Sequence, residues 1–412
     1  MVLRTYVLNT GHGWMAIPGG LVRVAEAQGA GNVTGSGAGT GSGSGSVVSM
    51  QRGGHSKDAW VLSDKPADHF SLLPAHDEPI KLRRVSMVVP SRVADNTFWL
   101  GRYVERAENT ARILRSMVPR VRRAQEVDLG SLLRLHSCLG SRYSKLPKRK
   151  LPTFALLEKE MLSLLKDGKR WDSLPSTLAE VSRTGGNVRE RLSADMMLLI
   201  GQLRDSMEME PKAKLADASA KLTGGLELLS TFSGMERENL IRGSGWLFLS
   251  LGRRMERAIT LTRELREITR PLANEDWAYM QWLLEVADSS MTYRQRYYTT
   301  LEPLPVLDVL LADERNPRSL QFQLEHIVDL YAKLPRHEEE ELASMQKALA
   351  RLQAVDLQAM RFPPAGKAAA AKDPFTQLDR HLGDLTQQLF GWSNSLSSRY
   401  FSHARTLPSS VG

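Results

Sequence analysis

The chain has 412 residues, 42% of them hydrophobic and 25% charged, with a formal net charge of +9. That composition belongs to a globular chain with ample core, longer than one ordinary domain, and excludes disordered and fibrous classes. The single cysteine, Cys138, excludes an internal disulfide framework, and no apolar run approaches the ~20 residues that a membrane-crossing helix needs.

The first residues lack the basic start, apolar centre and small-residue cleavage site of a secretion signal, so a cytoplasmic location is expected. Residues 1–66 pattern as short strands: Leu3–Asn9, Trp14–Ile17, a turn at Gly19-Gly20 leading into another strand, then Val47–Gln51 and Ala59–Ser63 around Arg52-Gly53-Gly54. Residues 29–46 are dominated by Gly, Ser and Thr and are expected to form a flexible loop. Strands this short and interrupted cannot close a core of their own. Residues 67–88, with several Pro, Asp and His and a basic finish at Lys81–Arg84, are predicted to be a linker.

From residue 89 the apolar period changes from 2 to 3.6 and stays there, which predicts a multi-helix bundle. Leu100, Val104, Ala107, Ala111, Leu114 and Val118 form one stripe over 93–118, and Leu251, Met255, Ala258, Leu265 and Ile268 form another over 246–268. Val188, Leu192, Leu199 and Leu203 predict a helix over 187–208; Phe375, Leu378, Leu382, Leu385, Leu389, Trp392 and Leu396 predict one over 375–396. Prolines from Pro147 to Pro335 divide the remainder into further helices, and 363–372 reads as an exposed connector. The expected fold is therefore mainly all-α, with a small, incomplete β-rich segment in front.

One phrase occurs twice. Gly101, Arg102, Glu105, Arg106, Ala107 and Arg112 recur as Gly252, Arg253, Glu256, Arg257, Ala258 and Arg263, each 151 residues later. That spacing is far longer than a solenoid period, so it signals two equivalent helices in one bundle. Arg102, Glu105, Asn109 and Arg112 step by three, four and three, which places them on one helix face, roughly opposite the Leu100/Val104/Ala107 stripe. Three readings stay open: a buried Arg–Glu network fixing how two helices cross, a polar pocket for an anionic ligand, or an exposed ion-pair ladder. Arginine suits the first two, because its planar fork holds a carboxylate or phosphate bidentately.

Three more arginine-rich segments are candidates for the same network: Arg189 and Glu190 at the start of the 187–208 helix, Arg237, Glu238 and Arg242, and Tyr293, Arg294 and Arg296. Signals for catalysis are thin. No Gly-rich phosphate loop precedes a helix, no His-x-x-x-His or paired cysteine offers a metal site, and the histidines are scattered. His136 and Cys138 stand two apart on a helix and point away from each other. Arg120–Arg123 and Lys145–Lys150 are compact basic runs, but no nucleic-acid module accompanies them, and a solvated basic surface is expected.

The segment from Pro90-Ser-Arg-Val-Ala-Asp-Asn-Thr-Phe-Trp-Leu-Gly-Arg-Tyr-Val-Glu-Arg-Ala-Glu-Asn-Thr-Ala-Arg onward resembles the alpha-E family, named for all-helical content and a Glu-Arg motif; Arg237–Asn239, Arg242–Trp246, Ala287–Tyr297 and Asn316-Pro-Arg-Ser look like further family segments. The resemblance assigns residues 89–405 to an alpha-E domain. Met15-Ala-Ile-Pro-Gly-Gly-Leu-Val-Arg-Val and Ser49-Met-Gln-Arg-Gly-Gly-His-Ser-Lys-Asp-Ala-Trp-Val-Leu make residues 1–66 similar to the C-terminal end of a circularly permuted ATP-grasp domain. Such domains and alpha-E domains are often fused or encoded together, and ATP-grasp enzymes form amide or thioester bonds through an acyl-phosphate. The resemblance places the nucleotide-binding lysines and Mg²⁺-binding carboxylates upstream of Met1. It therefore implies no cofactor in this chain, with ATP and Mg²⁺ confined to a complete ATP-grasp partner. The function expected is an accessory, partner-binding helical component of an amide-ligase system acting in peptide-type ligation. The partners would be an ATP-grasp-type ligase and a peptide-like substrate, with neither membrane nor nucleic acid. The alternative is an enzyme whose Arg/Glu pocket acts on a carboxylated or phosphorylated peptide-like intermediate.

Overall fold

The computed structural model describes residues 2–9, 14–16, 19–24, 55–60, 62, 64, 90–123, 128–140, 143–147, 152–270, 276–298, 300–361 and 373–401. The loop 29–46, the strand expected at 47–51, the linker 67–88 and the connector 363–372 lie outside these residues. The chain divides into two units, 1–84 and 85–412.

Among the described residues the first unit holds five short strands: β1 (Val2–Arg4), β2 (Val7–Asn9), β3 (Trp14–Ala16), β4 (Gly20–Val24) and β5 (His55–Ala59). β2 and β3 form a hairpin with Leu8 opposite Met15, and β1, β4 and β5 make an antiparallel sheet with Leu3 opposite Val22 and Leu21 opposite Asp58. Two expectations change here. Leu3–Asn9 is two strands belonging to different sheets, and the last strand among the described residues is His55–Ala59, which overlaps the expected 59–63 only at Ala59. Pairing decides both limits: every residue of β4 finds a partner in 55–59, whatever the local propensity of 60–63. Val22 is the one buried side chain among the described residues of this unit, and Trp14 and Trp60 stay exposed. Sheets of two and three strands do not enclose a core.

The second unit is all-α. Its helices among the described residues are α1 (Ser91–Arg122), α2 (Leu129–Ser137), α3 (Phe154–Lys166), α4 (Leu174–Asn187), α5 (Ala194–Met207), α6 (Ala218–Glu238) and α7 (Ser244–Thr269). They continue with α8 (Trp277–Val286), α9 (Ser290–Tyr297), α10 (Pro303–Leu307), α11 (Leu320–Ala332), α12 (Glu339–Gln353), α13 (Leu357–Arg361) and α14 (Pro374–Leu396). Among the described residues no helix is long and apolar enough to cross a membrane.

The helix expected over 187–208 is broken. Ser193 accepts a hydrogen bond from the Met196 N–H and caps α5, so Asn187 ends α4 and residues 189–191 form a separate 3₁₀ turn. Pro119 lies inside α1 and donates no N–H to the Arg115 carbonyl, and the helix runs on for only three residues beyond it.

α1 and α7 form the central pair, with α4 and α6 against α1, and α11 and α14 against α7. The contacts run in the same sense along both helices: Thr97 faces Gly245, Gly101 faces Leu249 to Arg253, and Glu105 faces Arg253 and Arg257. The two helices are therefore parallel and cross at the glycines of the doubled phrase. A Cβ on Gly101 would lie 2.1 Å from the Leu249 carbonyl oxygen, and one on Gly252 would lie 2.2 Å from the Phe98 carbonyl oxygen. Only glycine at both positions lets the backbones approach this closely. The charged face that the sequence places opposite the apolar stripe is not exposed; α1 is surrounded, and both faces are buried.

Candidate functional site

Close approach at the glycines brings the next turn of each helix within side-chain reach of the other. On this turn the two copies exchange partners. Glu256 of α7 accepts from Arg106 Nε at 2.8 Å and Arg106 Nη2 at 3.1 Å, and also from Arg102 Nε. Glu105 of α1 accepts from Arg257 Nε at 2.5 Å and Nη2 at 2.8 Å, and from Arg253 Nη2 at 3.1 Å. Each carboxylate thus takes one bidentate fork from the second arginine of the opposite copy and further bonds from the first, one from Arg102 and two from Arg253, whose Nε lies 3.3 Å from Glu105. A local twofold axis between the parallel helices relates the two sets.

Burial makes this pairing obligatory. Arg102, Glu105, Arg253 and Glu256 are all less than one-tenth exposed, and unpaired charges there would cost several kcal/mol each. Burial pushes the Glu256 carboxyl up, but Arg102 and Arg106 outweigh it and hold the group at about 2. Burial likewise opposes ionisation of Glu108 and Glu236. The guanidiniums of Arg318, Arg257, Arg253 and Arg112 around the first, and of Arg253 against the second, keep both below the usual carboxylate range.

Outside this core the symmetry breaks. Arg102 extends to Ser393 Oγ of α14 at 3.1 Å, whereas Arg253 reaches Glu236 of α6 at 2.6 Å and Ser233 at 2.8 Å. Glu108 accepts from Arg318 at 2.6 Å and from Arg112 of its own helix at 3.0 Å. Arg263, the counterpart of Arg112, pairs with no carboxylate among the described residues, and burial lowers its pKa. Its guanidinium packs against the backbone of Gly140, where a Cβ would lie 2.5 Å from Nη1.

The other arginine segments do not join the network. Arg189 and Glu190 are exposed on the 3₁₀ turn, with Glu190 3.5 Å from Arg92. Arg237 and Glu238 are exposed; Arg242 lies over the Trp246 ring at 4.3 Å and bonds the Glu236 and Arg237 carbonyls. Tyr293 is buried but donates to the Thr300 carbonyl, Arg294 is exposed, and Arg296 pairs with Asp313 at 2.7 Å. The reason is phase: in these segments the turn or the helix C-terminus carries the charges around the outside, away from the α1–α7 seam. His136 faces Glu160 at 3.7 Å, while Cys138 Sγ lies 3.3 Å from the Tyr279 hydroxyl, so the two do not meet.

Four participants escaped the sequence reading: Glu108, Glu236, Glu264 and Arg318. Glu108 carried a signal, since it stands four residues before Arg112. Glu236 adjoins the candidates Arg237 and Glu238, one step away on a different face. Arg318 lies in the turn before α11, where no periodicity points to it.

Glu264 differs from the rest. It is 2% exposed, its Oε1 has no hydrogen-bond partner, and burial raises its carboxyl to about 8 despite Arg318 and Arg263. The folded chain therefore keeps a proton that the unfolded chain releases above about 4.5, so the group's contribution to stability falls as pH rises from about 4.5 to about 8 and is level beyond. Glu264→Gln is expected to match the parent near pH 5 and to exceed it at pH 8 by on the order of 4 kcal/mol. Urea unfolding at the two pH values measures this; an unchanged difference would sink the assignment. Among the described residues no group of three or more His, Cys, Asp or Glu is disposed to hold a metal ion.

Comparison with known proteins follows the same boundary as the helical unit. Residues 89–401, about three quarters of the chain, match the profile of Alpha-E, described as "a predicted alpha-helical domain with a conserved ER motif". An uncharacterized protein of Mycobacterium tuberculosis H37Rv and one of Mycobacterium bovis are each 29% identical over 301 residues, covering 66% of this chain and 33% of theirs. The chain thus spans about a third of the length of the curated relatives it matches. No solved structure matches it. The chain, from its doubled Glu-Arg phrase to its all-helical second unit, belongs to the Alpha-E family.

Proposed function

We propose that this chain is an accessory, partner-binding component of a cytoplasmic ATP-grasp amide-ligase system and does not catalyse ligation by itself. The observation that carries this reading is the closure of the Arg–Glu network. Arg106 and Arg257 present the forks best shaped for a phosphate or acyl-phosphate, and each is bound bidentately by a carboxylate of the other copy. A fork already occupied in the protein interior serves helix crossing and leaves no open acyl-phosphate cradle. The strands of the first unit, with exposed Trp14 and Trp60, agree with the resemblance of residues 1–66 to the end of a permuted ATP-grasp domain. The buried Cys138 is compatible with a reducing compartment.

Affinity purification of the tagged full chain from its native host tests the reading. An ATP-grasp chain is expected to co-purify, and ATP-dependent amide formation is expected only when both chains are present. ATP turnover coupled to ligation by this chain alone would overturn it.

A further inference from the structure

At two positions one copy of the repeat carries a glutamate where the other carries an isoleucine, and one of these glutamates, Glu264, lines a small cavity. Ile259 of α7 is the counterpart of Glu108, and Ile113 of α1 is the counterpart of Glu264, each pair 151 residues apart. Each copy thus carries one glutamate where the other has isoleucine. The cavity beside Glu264 has a volume of ≈ 20 Å³ and opens outward between Asn109, Arg112, Arg257, Thr260 and Arg318. That is room for one water-sized atom, in surroundings too polar to stay dry.

The lining holds hydrogen-bonding capacity that the protein does not use. No hydrogen bond is made by the side chain of Asn109 or Thr260 among the described residues, and Arg112 commits only Nε, to Glu108. Glu264 Oε1 is buried without a partner. A buried polar atom left as Glu264 Oε1 is left costs about 1–3 kcal/mol unless something meets it. Charge points to the sign of what does. Five guanidiniums (Arg112, Arg253, Arg257, Arg263 and Arg318) face three ionised carboxylates (Glu105, Glu108 and Glu236), which leaves positive charge uncompensated while Glu264 is protonated. A recess with room for one atom seats a single carboxylate oxygen but not a whole phosphate group.

We infer that this cavity binds a carboxylate, with one oxygen seated among Arg112, Asn109 and Thr260 and the rest of the ligand at the open mouth. The protonated Glu264 donates to that oxygen. When Glu264 ionises, its own carboxylate takes the surplus positive charge, and the ligand is displaced. The charged or titratable groups around Glu264 are Glu105 and Arg112 from α1, Arg257 and Arg263 from its own helix, and Arg318 from the turn before α11. Cys138 at the end of α2 and Tyr279 on α8, whose hydroxyl bonds the Glu264 carbonyl, complete them. Burial pushes the Cys138 thiol and the Tyr279 phenol up, so neither ionises in the working range. This site does not depend on whether an ATP-grasp chain associates.

The test is line broadening of ¹³C-formate by the full chain, at constant ionic strength set with sodium chloride. Saturable binding is expected at pH 6.5 and at least tenfold weaker binding at pH 9. Glu264→Gln should abolish that pH dependence, and Arg112→Gln should weaken binding at least tenfold at both values. Should Arg112→Gln not fold, Thr260→Val removes one donor at nearly constant volume and should weaken binding several-fold. A short peptide with a free C-terminus competing with formate, while its C-terminal amide does not, identifies a peptide terminus as the source; formate alone binding identifies a small free acid. Formate that binds no better than chloride, or a pH profile unmoved by Glu264→Gln, overturns the assignment.

Discussion

Gly101→Ala and Gly252→Ala are each expected to destabilise the chain by about 3 kcal/mol, near the top of the range for overpacking. The added methyl would meet the Leu249 carbonyl oxygen at 2.1 Å in one variant and the Phe98 carbonyl oxygen at 2.2 Å in the other. Both obstacles are backbone atoms of the facing helix, so no side-chain rotation relieves them. The helices must separate, and separation also stretches the Arg–Glu pairs that span the seam one turn further on. Gly234→Ala supplies the contrast. It too lies inside a helix, but nothing stands within 4 Å of the new methyl, so it is expected to gain up to about 1 kcal/mol from propensity alone. Urea midpoints of the three variants measure the difference. A Gly101→Ala chain as stable as its parent would show that α1 and α7 do not cross where the structure places them.

Removing one carboxylate from the seam has an effect of similar size. Glu256→Gln leaves the buried Arg102 and the half-buried Arg106 facing an amide, and the expected loss is about 3–5 kcal/mol. The mirror substitution, Glu105→Gln, should cost about as much, because it strands Arg253 and Arg257 in the same way. Replacing Arg102, Arg106 and Glu256 together by methionine is expected to recover most of the loss, since a well-packed apolar set avoids desolvating charge. Recovery separates a broken ion pair from a mere change of shape.

The same pairs govern acid sensitivity. The Glu256 carboxyl is held at about 2 in the folded chain, against about 4.5 when unfolded. Its contribution is therefore complete above pH 4.5 and disappears as pH falls from 4.5 through 2, an effect on the order of 3 kcal/mol. Acid titration of thermal stability should show a parent chain falling steeply over that window and a triple-methionine variant falling less. Equal slopes would remove Glu256 from the account. Glu264 acts in the opposite direction and in a different window, between about 4.5 and 8, so the two groups are separable by pH alone.

Much of this architecture is written in residue order. A 3.6 period from residue 89 onward needs only local spacing to be recognised, and helices with such a period bury one stripe wherever they pack. The doubled phrase needs no outside comparison, because a helix and its copy share one text, and their equivalence follows. Even the choice of Arg over Lys carries information, as only a planar fork makes the bidentate bonds seen between Arg106 and Glu256.

Other features depend on contacts between distant residues. Spacing put Arg102, Glu105 and Arg112 on one face, but it could not say that Arg112 would turn back to Glu108 of its own helix while Arg102 crossed to Glu256. That choice depends on how closely two backbones approach, which two glycines 151 residues apart settle only together. Arg189, Arg237 and Arg294 have the composition of network members but the wrong phase relative to the seam, and phase becomes visible only when Ser193 caps α5 and the turns take their places. Glu264 is the extreme case. Nothing around it in sequence marks it as unusual; the fold makes it so by burying its carboxyl without a partner beside an arginine-lined cavity. Helical period and repetition are properties of neighbours along the chain, whereas charge, burial and an unmet hydrogen bond are properties of neighbours in space.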